Sequence, residues 1–197
     1  EEKFTNNNPI GISLERNTSS LIKNLKGLTP QFVPKIDDRI GVVIAGSAGG
    51  GIQSAAKMLA QAGMLAGLHT TMKGEYPITV GTGFSVAEVI LSKEPINYSG
   101  LEKPNVVIAV TDDGWNKVKN RITTKTEVFT DSKINNNPVS EIKDFISKGG
   151  KKGAALSALS YWIRKSEVFP IEALLKVVEN HKYASIFQET IKGANEL

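Results

Sequence analysis

The stretch from Arg39 to Gly67, RIGVVIAGSAGGGIQSAAKMLAQAGMLAG, leaves few folds open to this chain. It starts as an uninterrupted apolar run, Ile40 to Ala45, rich in β-branched residues and halted by Gly46. Such a run predicts a strand buried on both faces. Gly46, Ser47, Ala48, Gly49, Gly50 and Gly51 follow, and from Ile52 the apolar residues recur at helical spacing as Ile52, Ala55, Ala56, Leu59, Ala60 and Gly63. Strand, glycine turn and helix form the opening half of a βαβ unit. Glycines admit positive φ and close approach to the main chain, and the first N–H groups of a helix favour an anion. The six-residue turn is therefore a candidate binding element for a phosphate, a carboxylate or a partner's backbone. A tight turn with close helix packing and no ligand explains the same residues.

Two known phosphate motifs are near misses. The dinucleotide fingerprint G-x-G-x-x-G has Ala48 at its middle glycine. A Walker A loop fits at Gly46 and Gly51, but Ile52 and Gln53 stand where Lys and Ser or Thr belong. That excludes P-loop ATP binding.

Downstream, the pattern predicts strands at Leu68–Met72, Ser85–Leu91, Asn105–Val110 and Thr126–Thr130. Lys73 to Pro77 is read as breaking the first of these. Helices are predicted over Trp115–Ile122, Gly153–Arg164, Ile171–Asn180 with Pro170 at N1, and about Tyr183–Lys192. Glu141–Ser147 fits either element. This alternation predicts an α/β fold, a Rossmann-like three-layer α/β/α sandwich around a largely parallel sheet, over residues 39–197. Residues 1–38, with Asn6–Asn8 and three prolines, read as an N-terminal linker or arm with one short helix at Thr18–Leu25. Opening on Glu1-Glu2 without methionine suggests that residue 1 is not a natural start. Ligands of such folds sit beyond the carboxyl ends of the strands, where Gly46–Gly51, Lys73–Gly83 and Thr111–Gly114 would meet. Glu75 and Tyr76 are the candidates from the second loop.

Composition narrows the chemistry. The net charge of +4 comes from spread lysines and arginines with short clusters at Lys117–Arg121 and Lys148–Lys152. No aromatic-interleaved basic face points to nucleic acid. The chain has no cysteine, so it cannot build a disulfide, a thiolate zinc site or a cysteine-ligated iron–sulfur cluster. His69 and His181 lie apart, and His69 is read as a buried strand residue. No apolar run reaches membrane-spanning length, and no signal peptide is visible. A cytoplasmic protein with no nucleic-acid or membrane partner is expected. Thr111-Asp112-Asp113-Gly114 with Asn135–Asn137 departs from the thiamine diphosphate–Mg²⁺ element, and reads as a helix cap or turn. No catalytic residue and no metal ligand set emerges.

Taken in order, these motifs resemble the γ subunit or domain of 2-oxoacid:ferredoxin oxidoreductases. The residues that carry the likeness are Gly46-Ser47-Ala48-Gly49-Gly50-Gly51-Ile52 with Ala55-Ala56-Lys57-Met58-Leu59-Ala60, then Glu75-Tyr76-Pro77, the strand Asn105–Val110, and Phe169–Leu174. Gly50 replaces the family's usual glutamine, and Gly81-Thr82-Gly83 lacks its arginine. The missing guanidinium removes a bidentate anion partner. The resemblance implies a non-catalytic unit of an enzyme that decarboxylates pyruvate, 2-oxoglutarate, ketoisovalerate or another 2-oxoacid to acyl-CoA. It places thiamine diphosphate, Mg²⁺ and iron–sulfur clusters on α and β partner subunits, with ferredoxin as acceptor and coenzyme A as co-substrate. Gly46, Ser47, Ala48, Gly49, Gly50, Gly51, Glu75 and Tyr76 would then shape the coenzyme A region. A free-standing dinucleotide-binding oxidoreductase is the alternative.

Overall fold

A computed structural model of the protein describes residues 29–75, 83–134 and 140–197. The short helix expected at Thr18–Leu25 lies outside these residues, as do Tyr76, Gly81, Thr82 and Asn135–Asn137. The chain runs β1 (Ile40–Ser47), α1 (Ile52–Leu65), β2 (His69–Glu75), β3 (Phe84–Ser92), β4 (Val106–Ala109), α2 (Asp112–Val118), β5 (Glu127–Asp131), β6 (Glu141–Lys143), α3 (Phe145–Ser166), α4 (Ile171–Val178) and α5 (Ala184–Gly193). One six-stranded sheet has the order β2-β3-β1-β4-β5-β6.

The sheet is mixed. β1–β4, β4–β5 and β5–β6 pair in parallel, while β3 runs antiparallel to both neighbours, β1 and β2. The α/β layers expected from the sequence are present, with β3 folded back between β1 and β2 as the departure from a parallel sheet.

Alternate side chains of the strands feed two cores. Val42, Ile44, Ala87, Val89, Leu91, Val106, Ile108 and Phe129 pack with α1, α3 and α4 on one face. Val43, Ala45, Val86, Val107, Ala109 and Val128 pack with Trp115 and Val118 of α2 on the other. Six consecutive residues of β1 are buried, which is why its sequence is apolar without alternation.

Three sequence readings need correction. β2 continues through Lys73, Gly74 and Glu75, the residues expected to end it. It is the sheet's edge strand, largely exposed, so His69 is a surface residue and not a core one. Pro170 is the N-cap of α4 and not its N1 residue, with ψ 137° placing it outside the helix. The ambiguous Glu141–Ser147 region divides into β6 and the start of α3, whose course is broken once, at Gly150 (φ 64°, ψ 176°). The residues just before β1 are tied to the helices: Gln31 and Phe32 N–H donate to Leu65 O, Lys35 N–H donates to Val168 O, and Ile36 is buried.

The short edge strand β6 is clamped to α3 through Glu141, whose carboxylate accepts from the Tyr161 hydroxyl and the Lys165 ammonium. Burial works against the Glu141 charge. The hydrogen bonds from Lys165 and Tyr161, with the charges of Lys165 and Lys143, outweigh it and hold its pKa below the usual carboxylate value. The hydrogen bond to Glu141, then burial, pushes the Tyr161 hydroxyl up to about 12. A lowered acid stabilises above its unfolded value, near 4.5, and loses that contribution as pH falls through the folded value. A raised phenol stabilises below 10 and loses its contribution as pH rises through about 12. Glu141→Gln is therefore expected to cost on the order of 1 kcal/mol between those limits, at the modest end because Lys165 is half exposed. Urea melts of both proteins should begin to converge as pH falls below ~4.5 and meet below the lowered value of Glu141; a gap that stays constant into acid would reject the clamp.

Candidate functional site

The strand order reverses between β1 and β4. From β1 the chain leaves through α1 on one face toward β2, and from β4 through α2 on the other face toward β5. The carboxyl ends of these two strands frame the crevice in which open α/β sheets hold ligands.

The glycine turn occupies this position. Gly46 closes the buried part of β1, and Ser47 ends the strand. Ala48 N–H donates to Gly83 O at 2.8 Å, and Gly50 N–H donates to Ser47 O at 3.0 Å. Gly49 and Gly51 have φ of 78° and 79°, the left-handed region that side chains resist. Gly51 is the N-cap of α1, whose first turn has no acidic residue and no side-chain cap. As a glycine, Gly51 offers no side-chain cap to the first N–H groups of that helix.

The cap of α2 meets the turn, as the sequence predicts, and of the second predicted loop Gly83 reaches it through Ala48. Ser47 Oγ lies 3.1 Å from both Thr111 Oγ1 and Asp113 Oδ2, linking β1 to the cap of α2. Thr111 is the N-cap of α2, with Asp112 and Asp113 in its first turn, the helix-cap reading of that acidic pair. Glu75, at the end of β2, pairs with Lys117 at 2.9 Å, and Lys117 also lies 4.4 Å from the Phe84 ring centre. Glu75 thus meets α2 and not the glycine turn itself. Gln53, in the first turn of α1, donates to Ser85 Oγ at 3.0 Å and Val86 O at 2.9 Å, fixing the helix start over β3.

On the α1 side the turn opens onto a cleft of about 620 Å³, lined by Gly49, Gly51, Ile52, Gln53, Ser54, Ser85, Lys152, Tyr183, Ile186 and Phe187. Lys152, Tyr183, Ile186 and Phe187 were not legible as site residues. The signal available for Lys152 was Gly149-Gly150, which, like the first turn, breaks the chain just before a helical run. Among the described residues, no three His, Asp or Glu side chains gather as a metal site. No helix among them is long and apolar enough to cross a membrane.

A sequence model described as pyruvate ferredoxin/flavodoxin oxidoreductase matches residues 41–187. The chain belongs to that family. This bears out the resemblance carried by the glycine turn and the motifs after it. A curated relative, the 2-oxoglutarate synthase subunit KorC of Archaeoglobus fulgidus, is 28% identical over 97 residues, 49% of this chain and 52% of the relative. The chain thus matches about half the length of that relative. Solved structures share the fold. The γ subunit of a keto/oxoacid ferredoxin oxidoreductase from Geobacter sulfurreducens superposes with TM-score 0.69 at 19% identity, covering 80% of this chain and 95% of that one. Pyruvate oxidoreductase subunit PORC of Thermotoga maritima gives 0.64 at 18% identity, covering 81% and 97%. A 2-oxoglutarate:ferredoxin oxidoreductase from Magnetococcus marinus, solved with 2-oxoglutarate, coenzyme A and succinyl-CoA bound, gives 0.72 at 16% identity, with 82% of this chain and 31% of that chain covered.

Proposed function

We propose that this chain is the γ-type unit of a cytoplasmic 2-oxoacid:ferredoxin oxidoreductase and works only in complex with α and β partners. The observation that carries this reading is the family match across 41–187, with the glycine turn set at the β1/β4 crevice. Thiamine diphosphate, Mg²⁺ and the iron–sulfur clusters are assigned to the partners, ferredoxin is the acceptor, and coenzyme A takes the acyl group. Gly46–Gly51 and Glu75 would border the coenzyme A region, with Tyr76 following Glu75 in the chain. The rest of the chain braces the thiamine-bearing subunits.

The dinucleotide alternative loses its acidic ribose partner. In a dinucleotide fold that residue ends a strand directly beside β1. Here β3 lies between β1 and β2, so at about 4.8 Å per strand Glu75 stands roughly 10 Å from β1. Its carboxylate is also engaged by Lys117.

The test is co-expression of the full chain with the α and β subunits of its own oxidoreductase. The assembled complex should reduce a viologen dye in a 2-oxoacid- and coenzyme A-dependent way, while the chain alone shows no turnover. Turnover by the isolated chain, or micromolar NAD(H) or NADP(H) binding in a calorimeter, would overturn the assignment.

A further inference from the structure

We infer that the cleft between α1, α3 and α5 docks a partner subunit of the oxidoreductase through an apolar segment that carries a carboxylate. The inference rests on the γ-unit reading and names the surface by which that unit is held.

The apolar part of the argument comes from α5. Tyr183 and Ile186 are 48% and 59% exposed, and Phe187 beside them is half-buried. The rings of His181, Tyr183 and Phe187 pack together at tilted and edge-on angles, with His181 4.9 Å from Phe187 and 5.7 Å from Tyr183 between ring centres. Aromatic side chains that already pack on one another have less rotamer freedom to lose on being covered. Most other large exposed apolar residues among those described, such as Val33, Met72, Tyr98 and Ile142, lie in separate segments. Tyr183 and Ile186 instead stand three positions apart on the lip of a cavity, the arrangement that marks an interaction site.

The charge of the cleft selects the occupant. Among the described residues, Lys152 is the one charged side chain that lines the cleft. The start of α1 brings the positive end of a 14-residue helix to the same wall, with no acidic residue in its first turn. Outside the cleft, Lys182 lies 4.7 Å from the Tyr183 ring centre. A cationic floor beside an aromatic ledge complements an acidic–apolar segment and disfavours a basic one.

The experiment uses the full chain co-expressed with its α and β subunits, comparing wild type with Ile186→Glu, Lys152→Glu and the control Ile142→Glu. Ile142 is 50% exposed on β6, at a different edge of the molecule. Thermal melts of the isolated chains should coincide, since all three side chains are exposed. Ile186→Glu and Lys152→Glu should each lower partner co-elution at least tenfold, and Ile142→Glu should match wild type. Undiminished co-elution of both cleft variants overturns the inference while leaving the γ-unit reading intact. A Lys152→Glu complex that assembles normally but needs more coenzyme A also overturns it, because the cleft is then a ligand site. A change in self-association by light scattering with partner binding unchanged overturns it in favour of a second copy. Failure of wild type to co-elute rejects the parent reading, and this one with it.

Discussion

Gly114→Ala should destabilise the protein by roughly 2–4 kcal/mol, although the same change in an ordinary helix interior gains about 1 kcal/mol. The sign inverts because α2 lies with its first turn directly on the backbone of β1. A Cβ at Gly114 would come within 2.6 Å of Gly46 Cα and 2.5 Å of Ala45 C. Neither can swing aside, because both belong to a strand paired on both edges. Gly46 cannot yield toward the opposite face either. A Cβ there would meet Ile52 Cδ1 at 2.7 Å and Val110 Cγ2 at 2.8 Å, so the two glycines form one stack between the cores. Gly193 supplies the contrast: it ends α5 with nothing within 4 Å of a built Cβ. Gly193→Ala should therefore be neutral or stabilise by up to about 1 kcal/mol. Denaturant melts of both variants decide the matter, and equal shifts would remove backbone contact as the cause.

The same stack shows why part of this site was legible in the sequence. A strand buried on both faces must be apolar throughout, and a backbone that packs against backbone must be glycine. Ile40–Gly51 therefore announces both its structure and its place at the crevice. The partners of the turn carry no such mark. Lys117 meets Glu75, Gln53 reaches Ser85, and Lys152 lines the cleft through contacts between distant segments. Nothing local distinguishes these side chains from solvated ones. The Gly51–Lys152 approach likewise joins segments far apart in the chain.

The sheet's left side was harder to read for a different reason. β2 reads HTTMKGE, and an edge strand needs pairing on one side only, so polar residues and a glycine are tolerated in it. Gly74 even suits the strand, because a Cβ there would collide with the Gln53 side chain that anchors α1. The antiparallel insertion of β3 follows from long-range pairing that periodicity does not encode, since parallel and antiparallel buried strands look alike. β6, three residues long, is too short to show a period at all.

Gly51 carries the second large effect, and Gly49 serves as its internal control. Both have φ near 79°, so alanine at either position should cost about 1–2 kcal/mol for the left-handed backbone alone. Their surroundings differ. A Cβ at Gly49 meets nothing within 4 Å, whereas one at Gly51 would overlap the Lys152 carbonyl oxygen. That oxygen is main chain, at the point where α3 resumes after the Gly150 break. Gly51→Ala must therefore displace one helix start or the other, at a further cost of roughly 1–3 kcal/mol. The two variants should differ by that amount in urea melts, and amide exchange at Lys151–Ala154 should quicken in Gly51→Ala alone. If the cleft beside this contact serves the complex, Gly51→Ala should also lower activity of the assembled oxidoreductase well beyond Gly49→Ala. Matching stabilities and matching exchange rates would mean that positive φ, and not the junction of α1 with α3, is what glycine provides at this turn.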